Sequence, residues 1–440
     1  MAAASMAGTM SPELLKVMER AKDPKFVFYS LAHLIDEEAL TRAFHRIRKD
    51  AAVGVDGITK EQYGQELESR VRGLHQRLRT MRWRHQPIRR VHIPKEKGKS
   101  RPIGISSIED KIVQEALREV LEAVYEPLFC DFSYGFRKGR GAHDALRALD
   151  QVLHRGEGNW ILELDVQSYF DSIDRKMLLE MLRERVVDGS LLRLIGKCLH
   201  VGVLDGEEYF EPGAGTAQGS VLSPILGNIY LHHVLDVWFE RDVVPRLRGK
   251  AHLVRYADDG VITFERKDDA RKVMEVIAKR FGRYGLKLHP EKTRVVRFER
   301  PDRADSSGKG PGTFDFLGFK HYWCKSRRGY WVPRIKTRSA RVRRFIMAVN
   351  AWCRSHRHEA VRDQHAALTR RIVGHFNYFG VNGNLREIQR VVHACGVVWH
   401  TWLNRRSQRS RLNWKRFADL LRDFPLPRAR VYVQLWHSAS

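Results

Sequence analysis

The sequence predicts an α+β fold in which a mainly helical amino-terminal region precedes a β-hairpin with two acidic residues at its tip, and a strongly basic segment follows. Apolar residues first recur at helical spacing between residues 40 and 78. Two apolar runs later flank Tyr256-Ala-Asp-Asp259, a pattern typical of a β-hairpin. From Lys336 onward there are 21 Lys and Arg but only five Asp and Glu. This quarter of the chain therefore carries a net charge of +16, and the length of the chain suggests two or three units.

Several elements before this hairpin can be predicted in chain order. The residues that indicate two amphipathic helices are Leu40, Ala43, Phe44 and Ile47 in the first and Val71, Leu74 and Leu78 in the second. Two β-like runs, Val91–Ile93 and Arg101–Ile105, surround a basic turn and predict another hairpin. Ser107 is placed to cap the helix that follows, whose apolar stripe runs from Val113 to Leu128.

The charge of the chain restricts the class of partner. Its 440 residues include 79 Lys and Arg against 52 Asp and Glu, which leaves a formal net charge of +27. A surface this basic favours polyanions such as nucleic acid. Because 43% of the residues are hydrophobic, the chain can also bury large cores, and extensive disorder is not expected.

The cysteines and the apolar runs indicate a compartment. Five scattered cysteines form no Cys-x-x-Cys pair, so we expect reduced thiols rather than a zinc module. The sequence contains no apolar run of about 18 residues, and its first eight residues lack the features of a signal peptide. We expect a cytoplasmic protein that does not engage a membrane.

Three aspartates are predicted to meet at the ends of neighbouring strands. Asp258 and Asp259 stand at the tip of the predicted hairpin. Asp165 ends the run Trp160-Ile-Leu-Glu-Leu, whose alternation places Glu163 and Asp165 on one face of a strand. Glu163 must then be paired or lie near solvent. Clustered carboxylate oxygens are the ligands that Mg²⁺ prefers.

This cluster predicts nucleotidyl transfer with two metal ions. When two ions lie about 4 Å apart, one lowers the pKa of an attacking 3′-hydroxyl and the other neutralises the leaving pyrophosphate. We expect two Mg²⁺ ions, for which Mn²⁺ can substitute. A second acidic pair, Asp268-Asp269, lacks flanking strand patterns and instead matches the first turn of a helix.

Two loops with glycines could bring backbone close to a ligand. The first, Tyr134 to Gly141, carries Arg137, Lys138 and Arg140, which could contact a nucleic-acid backbone; the alternative is an arginine-rich surface turn. The second loop, Gly213 to Pro224, has small residues that would let a template or nucleotide lie against its backbone.

The order of these motifs resembles that of the reverse transcriptases encoded by bacterial group II introns and their group II-like relatives. The resemblance spans nearly the whole chain. The seven matching motifs are Arg101-Pro-Ile-Gly, Tyr134-Gly-Phe-Arg-Lys-Gly, Leu164-Asp165 with Phe170-Asp-Ser-Ile-Asp174, Gln218-Gly, Tyr256-Ala-Asp-Asp259, Gly285-Leu-Lys-Leu-His-Pro-Glu-Lys-Thr293 and Phe314-Asp-Phe-Leu-Gly-Phe319.

The resemblance implies a right-hand polymerase, with helical and hairpin fingers and an antiparallel-sheet palm over residues 1–335, and an all-α basic thumb or maturase domain over residues 336–440. It implies an RNA-directed DNA polymerase that makes cDNA from an RNA template, a DNA primer or target DNA, and dNTPs. The RNA would be a group II intron RNA, whose splicing and retromobility the protein would assist as a maturase.

Roles for the metal and nucleotide sites also follow from the resemblance. Asp165 and Asp258 would be the main Mg²⁺ ligands, Asp259 an accessory ligand, and the Val166 carbonyl a further oxygen donor. The residues expected to contact the incoming nucleotide are Arg101, Lys99, Val166, Phe170, Gln218 and Lys292. Phe170 would crowd a ribose 2′-hydroxyl, unless it is simply a core side chain. Lys292 would protonate pyrophosphate, unless it is a solvated lysine.

The basic carboxyl segment is predicted to grip nucleic acid by phosphate contacts and stacking. Its candidate residues are Arg405, Arg406, Arg409, Arg411 and Trp414. The alternative is an exposed helix face rich in arginine. The zinc-type endonuclease domain of many relatives is not expected, because its cysteines are not present.

One motif departs from the family pattern, since the usual Pro-Gln-Gly-Gly appears as Ala217-Gln218-Gly219-Ser220. The change would alter the stiffness of this loop. Three other functions remain open: a stand-alone group II-like reverse transcriptase in repair or phage defence, a mainly non-catalytic RNA-binding splicing maturase, and, from the carboxylates alone, an RNA-templated RNA polymerase.

Overall fold

The computed structural model describes residues 10–94, 100–211, 213–216, 219–302, 311–407 and 412–436. These residues form an α+β fold, as predicted. The α-helices of the first three hundred residues are α1 Pro12–Ala21, α2 Glu37–Arg46, α3 Lys60–Gly64, α4 Leu67–Arg79, α5 Ile108–Tyr125, α6 Ala142–His154, α7 Tyr169–Ser172, α8 Arg175–Arg183, α9 Gly189–Leu199, α10 Ser223–Leu231 and α11 Lys267–Arg283.

A four-stranded antiparallel sheet forms the centre of the molecule. Its strands are β3 Trp160–Leu164, β6 Ala251–Tyr256, β7 Asp259–Phe264 and β8 Arg294–Arg297, in the order β6-β7-β3-β8. The alternation predicted for β3 is confirmed: Leu162 and Leu164 pack into one core, and Ile161 packs into another on the opposite face. Glu163 is paired, as required, because it accepts a hydrogen bond from the Arg294 guanidinium.

A second sheet contains the predicted basic hairpin. Its strands are β1 Ile88–Pro94, β2 Ser100–Ile105, β4 Val203–Asp205 and β5 Glu208–Phe210, in the order β2-β1-β4-β5. Strands β1 and β2 are antiparallel, and Ile93 pairs with Arg101. The pairing places Arg101 at the start of β2, beside the turn.

The predicted helices are confirmed in the structure. The apolar residues Leu40, Leu74 and Leu78 are buried in the largest core, and the Ser107 hydroxyl caps α5 by accepting from the Asp110 amide at 3.1 Å. Asp268 and Asp269 lie in the first turn of α11. This acidic pair is therefore structural, as the sequence indicated.

The carboxyl region combines a small sheet with helices. Its elements are β9 Phe314–Phe316, β10 Phe319–Lys325, β11 Trp331–Thr337, α12 Ser339–Ser355, α13 Val361–Phe379, α14 Leu385–Asn404 and α15 Trp414–Asp423. Strand β11 crosses the boundary predicted after residue 335, so the helices begin at Ser339. The last described residues also return to the central sheet, because Val381 and Leu435 share a core with Ile161.

Two further features of the described residues concern membrane-spanning helices and cysteines. Among the described residues, no helix is both long enough and apolar enough to cross a membrane. All five cysteines are free thiols, and Cys198, Cys353 and Cys395 are buried.

Buried histidine predicts a stability that falls in mild acid. His321 is 2% exposed, and its ring stacks on Phe314 with centroids 4.5 Å apart. Burial lowers its pKa to about 3. In the unfolded chain the pKa of His321 is about 6.5. Between about pH 6.5 and pH 3, His321 therefore binds a proton in the unfolded chain but not in the folded chain. The resulting stability is complete above about pH 6.5 and is lost as the pH falls towards 3.

We therefore expect the free energy of unfolding in urea to fall between pH 7 and pH 5, with about 2 kcal/mol of the loss due to His321. His321→Gln should reduce this pH dependence, whatever its effect at pH 7. His393→Gln, at an exposed helical site, should not. An unchanged pH dependence in His321→Gln would contradict the assignment.

Candidate active site

The carboxylate hairpin, Ala251–Phe264, carries two of the predicted aspartates at its tip. Tyr256 pairs with Asp259, so Ala257 and Asp258 form a two-residue turn. Ala257 has a φ of 54°, in the left-handed region that costs a residue with a Cβ atom roughly 1 kcal/mol or more. Such strain persists only where neighbouring groups hold the backbone.

Arg255 provides that support from inside the protein. Its side chain is 1% exposed and forms an ion pair with Asp236, which is fully buried. The same guanidinium donates to the Ala257 carbonyl at 3.0 Å and to the Ser133 hydroxyl at 2.7 Å. The strained turn is thus tied directly to a buried ion pair.

The loop from Tyr134 to Gly141 supports the turn from the other side. The Tyr134 amide donates to the Arg255 carbonyl at 2.8 Å, and the Asn228 side chain donates to the Gly135 carbonyl at 2.7 Å. A Cβ atom on Gly135 would lie 2.2 Å from the Ala257 nitrogen, so only glycine allows this approach.

Asp165 follows β3 and is held by the segment after α11. Its carbonyl accepts from the His289 amide at 2.8 Å, and its amide donates to the Thr293 hydroxyl at 3.4 Å. The Lys292 ammonium lies 2.8 Å from the Asp165 carboxylate. Lys292 thus contacts the predicted metal ligand, while its side chain remains 58% exposed.

Electrostatics links the three aspartates. The pKa of Asp259 is raised to about 6, first by burial and then by the charges of Asp258 and Asp165, which outweigh the opposing charges of Lys292 and Arg341. Burial, followed by the Asp165 charge, also raises the pKa of Asp258. The Asp165 charge thus disfavours ionisation of both hairpin aspartates, a repulsion that a bound cation would relieve.

These residues fit divalent ions that a substrate helps to hold. Within the described ranges, no group of three or more His, Cys, Asp or Glu side chains is arranged to hold a metal ion by itself, so the three aspartates would need further ligands. Mg²⁺ usually takes one or two carboxylates together with substrate phosphates, so a complete cage is not required. Asp165 and Asp258, with the adjacent Val166 carbonyl, have the oxygen chemistry needed for such a shared site.

The predicted nucleotide contacts lie around this cluster. Arg101 is exposed and is close enough to Asp258 to oppose the rise in the pKa of that carboxyl. The Phe170 ring is half-buried, 5.2 Å from Tyr169 and 6.3 Å from Phe136 between centroids. Its partial exposure leaves it able to meet a ligand. Lys99 and Gln218 lie outside the described residues.

The prediction for Arg137 was wrong. This side chain is buried, donates to the Glu126 carboxylate at 2.9 Å and to the Ser133 carbonyl at 2.7 Å, and stacks over Phe129. It stabilises the loop instead of facing nucleic acid. The Arg140 guanidinium donates to the Asp131 carboxylate at 2.7 Å, which uses part of its hydrogen-bonding capacity. Lys138 is exposed.

The residues predicted to contact nucleic acid in the carboxyl-terminal region also differ in their exposure. Arg406 donates to the carbonyls of His358 and Glu359, so it secures the connection between two helices and is not an open contact. Arg405 is exposed. Trp414 is 57% exposed and stacks on His400 at 4.0 Å. Arg409 and Arg411 lie outside the described residues.

The unusual Ser220 has a structural role that the sequence did not reveal. Its hydroxyl donates to the Gln114 side-chain oxygen at 3.1 Å, which also accepts from the Val221 amide at 3.1 Å. Gln114 in turn donates to His85 Nε2 at 2.8 Å, because His85 Nδ1 donates to the Gln86 carbonyl. Hydrogen bonds thus brace the loop that lacks the usual proline.

Sequence reasoning missed Arg255, Asp236 and Gln114. One signal was present for Arg255, since it falls at a position of β6 where alternation demands a buried side chain. A buried arginine needs a carboxylate partner, but nothing in the sequence singled out Asp236 for that purpose.

An antiparallel sheet that presents three aspartates, with a basic hairpin nearby, defines the class of hand-shaped nucleic-acid polymerases. Residues 93–321 match the family described as reverse transcriptase (RNA-dependent DNA polymerase), and the chain therefore belongs to this family. Reverse transcriptase domains use divalent metal ions, in agreement with the oxygen-rich site.

Individual relatives show which members of the family the chain is similar to. The chain is 30% identical over 269 residues to the group II intron-encoded protein LtrA of Lactococcus lactis subsp. cremoris, a match that covers 59% of this chain and 45% of LtrA. It is 30% identical over 315 residues to protein YkfC of Escherichia coli (strain K12), covering 62% of this chain and 81% of YkfC.

A third relative is also named for an intron. The chain is 36% identical over 208 residues to an uncharacterized 91 kDa protein in a cob intron of Schizosaccharomyces pombe, covering 47% of this chain and 25% of that protein. The chain thus spans less than half of LtrA and of the yeast protein. The similarity identifies the polymerase family and groups the chain with intron-encoded members.

The Arg255–Asp236 pair predicts a large loss of stability when one partner is removed. Asp236→Ala should lower the free energy of unfolding by about 4 kcal/mol, because it leaves a charged guanidinium buried without its counter-ion. Urea unfolding at pH 7 would measure this. Arg72→Ala, which removes the exposed Arg72–Glu68 pair, is the control and should cost far less because water screens that pair. Equal losses would contradict the analysis of Arg255.

Proposed function

We propose that this protein is an RNA-directed DNA polymerase that makes cDNA by two-metal nucleotidyl transfer. The observation that carries the proposal is the electrostatic coupling of the three aspartates: after burial, the charge of Asp165 raises the pKa of both Asp258 and Asp259. Membership of the reverse transcriptase family supports RNA as the template. Bound Mg²⁺, or Mn²⁺ in its place, would activate the primer hydroxyl and neutralise the departing pyrophosphate.

The side chains of this protein would position the reactants. Asp165 and Asp258, with the Val166 carbonyl, would hold the ions, while Asp259 would stabilise their charge from the second position of the pair. Arg101 would bind the triphosphate through its planar guanidinium. These assignments agree with the approach of Arg101 to Asp258 across the cleft.

Lys292 is proposed as the proton donor to pyrophosphate. Its ammonium already lies 2.8 Å from Asp165, so it occupies the same site as the proposed metal ligand. A lysine carries three donors and can release one proton to a phosphate oxygen as the bond to the α-phosphorus breaks. Lys99 and Gln218 remain proposed nucleotide contacts from the resemblance.

The proposed partners are a group II intron RNA, a DNA primer or target DNA, and dNTPs. The printed name of LtrA, an intron-encoded protein, supports this context, as does the excess of basic residues after Lys336. We propose fingers and palm over residues 1–335, a thumb and maturase domain over residues 336–440, and Lys138, Arg405 and Trp414 as nucleic-acid contacts. Free thiols support a cytoplasmic location.

Primer extension tests the proposal. On an RNA template with dNTPs and Mg²⁺, Asp258→Asn should reduce DNA synthesis by about a thousandfold, because loss of a metal ligand removes several kcal/mol of transition-state stabilisation. Asp268→Asn is the matched control, since it makes the same change at an exposed helical aspartate. It should leave synthesis unchanged.

The same variants separate catalysis from splicing. If Asp258→Asn loses synthesis but still supports intron splicing, the chain has two separable activities. Synthesis that survives in Asp258→Asn would overturn the proposed site. No synthesis by the unmodified chain, together with intact splicing, would favour the mainly non-catalytic maturase.

Phe170 predicts the choice of sugar. In Phe170→Ala, ribonucleotide incorporation should rise by about tenfold or more relative to dNTPs, because the ring no longer crowds the 2′-hydroxyl. Competition between rNTPs and dNTPs in single-nucleotide extension would measure it. Phe136→Ala, which removes the exposed neighbouring ring, is the control. Unchanged sugar selectivity in Phe170→Ala would exclude the ring from this role.

A further inference from the structure

A basic groove of about 860 Å³ lies apart from the aspartates. Three parts of the chain form its walls: the segment before β1, helices α8 and α9, and the β4–β5 hairpin. None of Asp165, Asp258, Asp259, Arg101 or Phe170 lines it. The proposed polymerase chemistry therefore leaves this surface without a function.

The charge of the groove has one sign. The arginine and lysine residues that line it are Arg84, Arg183, Arg193 and Lys197. Among the described lining residues, none is acidic. Lys197 is held in place, because its ammonium donates to the carbonyls of Met81 and Trp83 at 2.7 and 2.6 Å. Burial lowers the pKa of Lys197, and the charges of Arg84 and Arg193 lower it further.

Such an arrangement opposes folding and needs a compensating ligand. Like charges in a concave surface repel one another and concentrate a positive potential there. A ligand with closely spaced negative charges would relieve the repulsion. The geometry therefore favours a polyanion over a single small anion, since the basic side chains come from separate walls of the groove.

The apolar part of the lining favours nucleic acid among polyanions. Tyr209 is 56% exposed and Val187 is 42% exposed, and both line the groove beside the arginines. Exposed aromatic faces stack on unpaired bases while cations contact the phosphates, which is how single strands are held. The Tyr209 ring also lies against Gly202, where a Cβ atom would meet its hydroxyl oxygen at 2.2 Å, and this hydroxyl donates to the Glu211 carboxylate at 3.1 Å.

We propose that this groove binds a single-stranded RNA segment other than the strand being copied. Arg84, Arg183 and Arg193, which are exposed in the lining, contact its phosphates, and Tyr209 stacks on a base. The proposal does not require polymerase activity, because the aspartates lie elsewhere. It gives the protein a second RNA-binding surface, away from the carboxyl-terminal region where the sequence placed the main basic charge.

The test uses the full chain with its polymerase cleft already filled. A short RNA–DNA primer–template is added to saturation, and then a fluorescein-labelled oligouridylate of about 15 nucleotides is titrated by anisotropy. The test variant is Arg84→Glu with Arg193→Glu, both exposed residues. The control, Lys272→Glu with Lys279→Glu on the exposed side of α11, makes the same change in net charge.

We expect the test variant to bind the labelled RNA about tenfold more weakly or worse, and the slope of log affinity against log salt to fall by about 1.4, or 0.7 for each lost phosphate contact. Tyr209→Ala should weaken binding without changing that slope. The control pair should bind like the unmodified chain. Primer extension on the short template should stay within about twofold in every variant.

Three outcomes would overturn the proposal. The unmodified chain would fail to capture the labelled RNA once its cleft is filled, the test variant would bind like the control, or an oligoglutamate of equal charge would displace the RNA as well as unlabelled RNA does. The last result would assign the groove to an acidic peptide. A chain that binds the RNA but extends no primer would support the groove while overturning the proposed polymerase.

Discussion

The ion pair between Arg255 and Asp236 is the interaction on which the active site depends. Both side chains are fully enclosed, so each needs the other to be tolerated inside the protein. The guanidinium uses its remaining donors on the Ala257 carbonyl, Ser133 and Asn228. One buried group thus joins the carboxylate hairpin, the loop at Tyr134 and the helix that carries Asn228. The Arg255 guanidinium and the Tyr134–Gly141 loop thus hold the turn between β6 and β7, and with it Asp258 and Asp259, from two sides.

The large pattern could be predicted from the sequence, because strand alternation and acidic turns are local features. The faces of β3, the place of Asp258 and Asp259 at a hairpin tip and the helical position of Asp268 were predicted correctly for this reason. Arg137 shows where local reasoning stops. Arginine in a glycine-rich turn looks the same whether it faces solvent or the interior, and the decision here depends on Glu126 and Phe129, which belong to the preceding helix and its end.

The Ser220 loop illustrates a different limit. The missing proline suggested that the stiffness of the loop differs from that of its relatives. Whether the loop is stiffer or softer depends on Gln114, which lies about a hundred residues earlier in the chain. Gln114 accepts two hydrogen bonds from the loop and reaches His85, which lines the basic groove. Side-chain hydrogen bonds replace a restriction that proline would impose through its ring. The loop and the groove consequently share one polar network, although their residues are far apart in sequence.

The left-handed backbone at Ala257 also limits how this sequence can vary. Glycine would relax the turn but would gain conformational freedom in the unfolded chain, whereas a β-branched residue would meet both its own backbone and the close approach of Gly135. Alanine is the compromise, with a side chain small enough for the strained turn. We therefore expect few substitutions to be tolerated at position 257. Those that are tolerated should depend on the residue at position 135, so that the two positions vary together although 122 residues separate them.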